Sequence, residues 1–229
     1  YAVINASHAM AVPAGYSMAE AAGIAEVYLT AYQLLCSIGN LQSGQRVLIH
    51  AGASGVGTAA IQLACRLGAK VAVTASNEDK LAVCKALGAE VAINYANTKF
   101  EHEISAVWPE GVNLILDPVA GNYISREMPL LAMDGKIVIY AMMGGREIPA
   151  LDLTALFKRR GQLICSTLRN RSNRYKAQLV QGFNHTFAKD LAQRIIKPII
   201  QQEFNWQQAE QAHKLMASNS TVGKLVLTF

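Results

Sequence analysis

The sequence predicts an α/β protein built on a doubly wound, six-stranded parallel sheet. Two observations favour this fold: apolar segments of strand length recur along the 229-residue chain, and the segments between them carry apolar residues at helical spacing. The strand segments are also nearly continuous apolar runs, which is typical of parallel strands buried on both faces. Hydrophobic residues make up 52% of the chain, enough to fill such a core.

The predicted strands alternate with helices through the first three quarters of the chain. The six strands are predicted at 46–50, 70–75, 90–94, 112–117, 136–140 and 162–168. Two of the intervening segments, TAAIQLACRLGA and NEDKLAVCKALGA, end on Gly-Ala, which is typical of a helix C-terminus. Two further helical patterns follow the sixth strand, at about 174–196 and 206–218.

The two ends of the chain do not fit this alternation. The segments YAVINASHAMAVP, at 1–13, and GKLVLTF, at 223–229, are predicted strands that no crossover helix attaches to the sheet. We therefore divide the chain into an N-terminal arm at 1–20, the sheet-and-helix unit at 21–168, and C-terminal helices with a last strand at 169–229. Both end parts are expected to belong with another domain.

Composition and charge argue against several classes of function. The net charge of +5 comes largely from a basic run at 157–176, which crosses a predicted strand and lacks an interleaved aromatic platform, so nucleic-acid binding is not expected. No window holds 18 unbroken apolar residues, so no membrane span is expected and the cytoplasm is the expected location. The cysteines stand singly, without a CxxC pair, and are predicted to be reduced thiols: Cys36, Cys65, Cys84 and Cys165.

The segment VLIHAGASGVGTAAIQLACRLGAKVAVTAS, at 47–76, runs from a strand through a glycine turn into a helix and a second strand. Gly52 and Gly57 occupy the first and last positions of a GxGxxG pattern, while Ser54 takes the middle one. A helix starting near Val56 would present free N–H groups and its positive dipole end to an anion. The pattern predicts that this turn, Gly55 included, holds the pyrophosphate of a dinucleotide, although such glycines can also serve packing alone.

The end of the second strand indicates which dinucleotide is bound. A site for NAD requires an acidic side chain there for the ribose hydroxyls, but residues 74–77 are Thr-Ala-Ser-Asn and the first carboxylate is that of Glu78. The hydroxyl of Ser76 and the cation of Lys80 would suit a 2′-phosphate instead. NADPH is therefore the expected cofactor, while the alternative for Lys80 is a solvated helix face.

Four segments together carry a likeness to a known family: VLIHAGASGVGTAAIQLA, GVNLILDPVAG, DGKIVIYAMMGG and LFKRRGQLICSTLRNR. They resemble the zinc-independent quinone oxidoreductase branch of the medium-chain dehydrogenases/reductases. This resemblance extends through nearly the whole chain and implies a Rossmann fold. Relatives of this kind also carry a GroES-like catalytic domain, so the resemblance implies that 1–20 and the last strand are remnants of that domain and that the chain is the back two thirds of such an enzyme.

The resemblance also implies roles for individual residues. It places Ser54, Gly55 and Val56 on the pyrophosphate and Thr30 near the nicotinamide. It also places Tyr95 beside the adenosine 2′-phosphate with Ser76 and Lys80, and the backbone of Met142, Met143 and Gly144 against the nicotinamide carboxamide. Structural roles are the alternatives: Thr30 can bond its own helix, Tyr95 can be a loop aromatic, and the methionines can fill space. No metal is expected, mainly because the family that the chain resembles is zinc-independent. In addition, Glu26 stands about where zinc-dependent relatives carry a cysteine ligand, and their cysteine-rich zinc lobe has no counterpart in this sequence.

The leading functional hypothesis is an NADPH-dependent reductase that transfers hydride to a quinone or an α,β-unsaturated carbonyl compound. No side chain is assigned as a catalytic acid or base. An enoyl reductase of a fatty-acid or polyketide system is one alternative, and a non-catalytic NADPH-binding module is another. A homodimer is expected through the edge strand at 162–168, and the chain alone is expected to bind NADPH but to reduce quinones poorly.

Overall fold

The computed structural model describes residues 3–148 and 151–229. Its eight strands are β1 (Arg46–Ile49), β2 (Lys70–Ala75), β3 (Val91–Asn94), β4 (Val112–Asp117), β5 (Leu131–Ile139), β6 (Gln162–Cys165), β7 (Ile200–Asn205) and β8 (Lys224–Thr228). Its α-helices are α1 (Met18–Ala22), α2 (Ala25–Tyr32), α3 (Gly55–Arg66), α4 (Glu78–Ala86), α5 (Phe100–Val107), α6 (Tyr123–Glu127), α7 (Thr154–Lys158), α8 (Asn173–Ala192) and α9 (Ala209–Ala217).

Strands β1 to β6 form one parallel sheet in the order β3-β2-β1-β4-β5-β6. This is the doubly wound order: strands are added on one side of β1 up to β3, and from β4 onward they are added on the other side. The crevice at the switch point between β1 and β4 is where such sheets bind ligands. The six-stranded parallel sheet expected from the sequence is confirmed. All six predicted strands of this sheet are present, although β5 begins earlier than expected, at Leu131, and β6 ends earlier, at Cys165.

The core lies in two layers, one on each face of the sheet. Successive side chains of a strand point to opposite faces, so Val47 and Ile49 of β1 pack in one layer while Leu48 packs in the other. Helices α2, α3 and α8 cover the first layer, and α5 and α6 cover the second. Because both faces are covered, the strands carry continuous apolar sequence.

The prediction for the N-terminal arm is wrong where the structure describes it. Residues 3–13 contain no strand; they form an extended segment with one 3-10 turn at Ala6–His8. The ring Nε2 of His8 lies 3.1 Å from the carbonyl oxygen of Asn173, at the start of α8. The first two residues of the predicted strand lie outside the described residues.

The C-terminal strand is confirmed as β8, but its partner lies within this chain. Strand β7 pairs with β8 in a parallel, two-stranded sheet. The sequence of β7, IQQEFN, carries no strand signal because only Phe204 of that strand is buried. The division of the chain into three parts remains a prediction. Within the third part, β8 is held by its pairing with β7.

The helical run Met18–Ile38 is long and apolar enough to cross a membrane by length and composition. In the structure, however, this run packs against α3 and α8, and Tyr28, Ala31, Leu34 and Leu35 have no exposed surface. Its last six residues, Gln33–Ile38, form a π-helical turn. We interpret the run as a core helix.

Candidate cofactor site

The glycine turn lies between β1 and α3, at the switch point of the sheet. Ser54 is the N-cap of α3: its Oγ accepts a hydrogen bond of 3.0 Å from the N–H of Gly57, and its carbonyl accepts one of 2.8 Å from Thr58. A Cβ on Gly52 would lie 2.7 Å from the Cβ of Val73, and one on Gly57 would overlap the carbonyl oxygen of Ala51. Both glycines are therefore required by close packing as well as by the predicted function.

The first turn of α3 provides donors for an anion. The N–H groups of Gly55 and Val56 have no acceptor within the helix, because the first turn of an α-helix leaves its donors unsatisfied. Both residues are half-buried and Ser54 is exposed, so the turn is open to solvent. Since Ser54 Oγ only accepts from Gly57, its hydroxyl hydrogen is available to a phosphate oxygen. The residues predicted to hold the pyrophosphate thus lie together at this turn.

Lys224, which the sequence reasoning missed, places a cation beside this turn. Its Cδ lies 2.6 Å from the position that a Cβ on Gly55 would occupy, and its Nζ lies 3.0 Å from Oε2 of Glu26. The preceding residue fixes this position, because the N–H of Gly223 donates a 2.8 Å hydrogen bond to the carbonyl of Ala53. Only the packing of β8 against the turn reveals Lys224 as a site residue.

Ser76 and Tyr95 meet at the ends of two neighbouring strands. Ala75 of β2 is in register with Asn94 of β3, and the N–H of Tyr95 donates a 3.2 Å hydrogen bond to the carbonyl of Ala75. Ser76 is half-buried and the Tyr95 side chain is exposed. The structure therefore brings these two predicted residues together, at the carboxyl edge of the sheet.

The assignment of Lys80 to the 2′-phosphate is not supported, because the structure gives this cation another partner. Its Nζ donates to the carbonyl oxygen of Asn219 at 2.6 Å and approaches Oδ1 of the same residue at 3.3 Å. Lys80 is 7% exposed, and burial lowers the pKa of its ammonium group. The side chain is thus not a solvated lysine, and its assignment to the 2′-phosphate stays a prediction that would require this contact to break. It ties α4 to the loop after α9.

The segment Met142–Gly144 follows β5 and is tied to the loop after β4. The N–H groups of Met143 and Gly144 donate to the carbonyls of Pro118 and Val119, at 3.0 and 2.7 Å. Asp117 holds that loop, since its Oδ1 accepts a 2.6 Å hydrogen bond from the N–H of Val119. The N–H groups of Met143 and Gly144 are therefore used internally, and their carbonyl oxygens are the groups that a carboxamide could meet.

A cavity of about 660 Å³ opens beyond the carboxyl ends of β5 and β6. Thr30 and Val56 are the two predicted site residues that line it, together with Tyr140 and part of α8. The hydroxyl of Thr30 makes no hydrogen bond to any residue that the structure describes, so bonding to its own helix is not its role. A smaller cavity of about 300 Å³ adjoins it and is lined by Tyr140, Met142 and Cys165.

The described residues do not fit a zinc site. Across 3–148 and 151–229, no group of three or more His, Cys, Asp or Glu side chains is placed to hold a metal ion. Glu26 is paired with Lys224. No chemical step is therefore assigned to a metal.

Comparison with known proteins places this arrangement in a family. Residues 55–184 match the family model described as zinc-binding dehydrogenase. The human synaptic vesicle membrane protein VAT-1 homolog is 32% identical over 231 residues, which cover 94% of this chain and 58% of that protein. The chain thus spans little more than half the length of that relative.

Two solved structures extend the comparison. The quinone oxidoreductase of Thermus thermophilus, solved also in its complex with NADPH, is 31% identical with a TM-score of 0.80, covering 95% of this chain and 68% of that one. The CurK enoyl reductase is 28% identical with a TM-score of 0.81, covering 96% of this chain and 65% of that one. The chain therefore belongs to the zinc-binding dehydrogenase family and, within it, to the zinc-independent quinone oxidoreductase branch of the medium-chain dehydrogenases/reductases.

Proposed function

We propose that the chain is the cofactor-binding part of an NADPH-dependent reductase that transfers hydride to a quinone or an α,β-unsaturated carbonyl compound. The observation that carries the proposal is the open N-terminus of α3 beside a cavity of about 660 Å³, both at the carboxyl edge of the sheet. The relative from Thermus thermophilus supports it, since that quinone oxidoreductase was solved with NADPH.

In the proposed complex, three kinds of donor hold the pyrophosphate. They are the N–H groups of Gly55 and Val56, the hydroxyl of Ser54, and the ammonium of Lys224. The dipole of the twelve-residue helix α3 adds to the attraction at its N-terminus. Because these groups belong to a packed turn and a paired strand, they are oriented before the cofactor arrives.

The 2′-phosphate is assigned to Ser76 and Tyr95, whose positions at the ends of β2 and β3 support this role. No carboxylate ends β2, so nothing at that position repels a 2′-phosphate. The nearest carboxylate is that of Glu78, and the side-chain amide of Asn94 donates to its Oε1 at 3.0 Å. We infer that this hydrogen bond keeps the Glu78 carboxylate away from the position proposed for the 2′-phosphate.

The nicotinamide end is assigned to Thr30 and to the backbone of Met142, Met143 and Gly144. When bound, the cofactor supplies the hydride. The chain's own task is to orient the nicotinamide ring and to exclude water from the cleft, and the apolar residues Leu29, Leu34 and Leu179 line that cleft.

Calorimetric titration with NADPH and NADH tests the cofactor assignment, and Val56 offers a matched pair of variants. Val56→Asp adds a charge that the helix N-terminus tolerates but that repels a pyrophosphate, whereas Val56→Asn adds a neutral side chain of similar size. We expect Val56→Asp to abolish most of the binding of both cofactors and Val56→Asn to preserve it. Absence of NADPH binding to the unmodified chain would contradict the proposal.

A second candidate function is enoyl reduction, which the structural likeness to the CurK enoyl reductase favours. NADPH oxidation measured with a quinone and with a crotonyl thioester distinguishes the two. Faster oxidation with the quinone supports the first function, and faster oxidation with the thioester supports the second.

We also propose that two copies associate through β6 and that the protein acts in the cytoplasm. Strand β6 pairs with β5 on one side and forms the edge of the sheet on the other. An edge strand exposes unpaired backbone groups that a second copy can satisfy.

A further inference from the structure

Two buried polar groups without partners line the large cavity. Gln33 is 1% exposed, and its Nε2 has no hydrogen-bond partner among the residues that the structure describes. Within the same described residues, the Oγ of Ser166 is also buried and without a partner. Both residues line the cavity of about 660 Å³. Buried amide and hydroxyl groups are almost always satisfied, so their placement indicates a ligand acceptor in this cavity.

The position of Gln33 follows from the helix that carries it. Glu26, Thr30 and Gln33 follow one another along one face of the helix, at spacings of four and three residues, and all three line the cavity. Gln33 begins the π-helical turn Gln33–Ile38, in which the N–H of Gly39 donates to the carbonyl of Leu34 at 2.9 Å. Single π-turns inside helices occur frequently at functional sites.

We infer that the Gln33 side-chain amide donates a hydrogen bond to the carbonyl oxygen of the substrate, with Ser166 as a second donor. This inference rests on the proposed function and names the group that the reductase recognises. The cavity has the size of a small-molecule site. Of the cofactor residues predicted from the sequence, Thr30 and Val56 are the two that line it, so most of its wall remains for another ligand.

The assignment also explains how charge is stabilised during reduction. The substrate gains a hydride at its β-carbon, the C=C electron pair shifts toward the carbonyl group, and negative charge collects on the carbonyl oxygen. A proton from solvent completes the reduced product, while NADPH becomes NADP⁺. A donor aimed at that oxygen stabilises the developing charge more than it stabilises the neutral carbonyl. The hydroxyl of Tyr140, which lines the same cavity, remains protonated because burial raises its pKa.

Binding of two probes tests the inference without turnover. The probes are 2,3-dimethyl-1,4-naphthoquinone, whose ring methyls block addition of thiols, and 2,3-dimethylnaphthalene, which lacks the carbonyls. We expect the chain to bind the quinone more tightly than the hydrocarbon. Gln33→Met should weaken quinone binding by roughly tenfold and leave hydrocarbon binding unchanged. The infrared carbonyl stretch of the bound quinone should move to higher frequency in the variant.

Gln62 provides a matched control. It is also buried, but its Nε2 donates to the carbonyls of Thr58 and Lys197, at 3.0 and 3.1 Å. Gln62→Met should therefore lower the melting temperature and leave quinone binding unchanged. Gln33→Met should not lower the melting temperature, because the amide nitrogen that it removes donates to no residue that the structure describes.

Three outcomes would overturn the inference. The first is an equal preference for the quinone in the unmodified chain and in Gln33→Met, and the second is binding of neither probe. The third is weaker binding of NADP⁺ to Gln33→Met with unchanged binding of 2′-phospho-ADP-ribose, which would assign the amide to the nicotinamide carboxamide. Failure of the unmodified chain to bind NADP⁺ would instead contradict the proposed function, while the probe comparison would still decide the role of Gln33.

Discussion

The ammonium of Lys224 lies 3.0 Å from the carboxylate of Glu26, so the last strand and helix α2 meet across the open N-terminus of α3. The lysine side chain is 31% exposed and the glutamate side chain 65%. An exposed pair of this kind contributes little to stability. The pair does, however, hold the Lys224 side chain next to Gly55, in the proposed pyrophosphate site.

Replacing Lys224 should therefore weaken both cofactors alike. The pyrophosphate is common to NADPH and NADH, and a charge-assisted hydrogen bond to it contributes about 1.5 to 3 kcal/mol. Because Lys224 is partly exposed, we expect Lys224→Met to weaken both by about tenfold, near the lower limit of that range. Glu26→Gln should strengthen both, since it releases the cation. Calorimetric titration of each variant with NADPH and with NADH measures these affinities. A loss of affinity confined to NADPH would show that Lys224 acts on the 2′-phosphate instead.

Cofactor preference should depend on Ser76. Ser76→Asp places a carboxylate at the end of β2, where it would repel a 2′-phosphate and accept hydrogen bonds from ribose hydroxyls. We expect NADPH affinity to fall by about tenfold or more while NADH affinity is kept or raised. Ser76→Asn, which is neutral and of the same size as the aspartate, is the control and should retain the preference for NADPH. Equal losses for both cofactors in Ser76→Asp would refute this placement of the 2′-phosphate.

Lys80 extends that comparison, because it was expected to share the role of Ser76 and the structure ties it to Asn219. Lys80→Met removes the donor that satisfies the Asn219 carbonyl, at a cost of about 1 to 3 kcal/mol. We expect a lower melting temperature and an unchanged ratio of NADPH to NADH affinity. A selective loss of NADPH would restore the assignment made from the sequence.

The glycine turn could be predicted from the sequence because its requirements are local. The spacing of Gly52 and Gly57 between a strand and a helix already specifies a tight turn and close packing. The choice of Ser76 followed from the end of the second strand, whereas Tyr95 was implied by the resemblance to the family. The roles of Lys80 and Lys224 could not be derived, because each depends on a contact made across more than 130 residues of chain.

Strand β7 and the N-terminal arm were also not predicted correctly from the sequence, because their structures depend on packing. The β7 segment is polar and lacks the apolar alternation that would predict a strand, although it pairs with β8 in the structure. The arm has the reverse character: its apolar residues, such as Val3 and Ile4, suggested a strand, but they are exposed and pair with nothing in the described chain. Gln33 was missed because a buried glutamine is known to lack a partner only once its surroundings are known.

Association through β6 can be tested by choosing which N–H to remove. The N–H of Ser166 donates to the carbonyl of Ile139 at 2.8 Å, so by the two-residue period the N–H of Ile164 also faces β5, while that of Cys165 faces outward. Cys165→Pro should disrupt a dimer and leave the sheet intact, whereas Ile164→Pro should destabilise the sheet itself. Sedimentation and thermal melting separate the two effects. A monomeric unmodified chain at tens of micromolar would count against the dimer.

The last prediction concerns a buried pair next to the site, His50 and Glu127, whose Nε2 and Oε1 lie 3.0 Å apart. Burial lowers the pKa of His50 to about 4, and burial raises that of Glu127 to about 8. At neutral pH both groups are therefore uncharged, with the proton on Glu127. The ring Nδ1 of His50 lies 2.9 Å from Oγ1 of Thr74.

The two groups give opposite dependences of stability on pH. The unfolded chain binds a proton on His50 below about 6.5 that the folded chain lacks, so this contribution to the free energy of unfolding rises with pH between about 4 and 6.5. The folded chain keeps a proton on Glu127 that the unfolded chain loses above about 4.5, so that contribution falls with pH up to about 8. Burial raises the pKa of the nearby Asp117 to about 6, so the contribution of Asp117 to the free energy of unfolding no longer changes with pH above that value.

Between pH 6.5 and 8, the contribution of Glu127 is therefore the one of these three that still changes with pH. We expect the free energy of unfolding to fall across this window. Glu127→Gln keeps a neutral side chain of the same shape at every pH, so its unfolding free energy should be flat there. Glu103→Gln, on the exposed face of α5, should keep the decline seen in the unmodified chain. Urea unfolding at about pH 6.5, 7.25 and 8.0 provides the measurement. Parallel profiles for the unmodified chain and Glu127→Gln would show that the buried carboxyl does not hold its proton in this range.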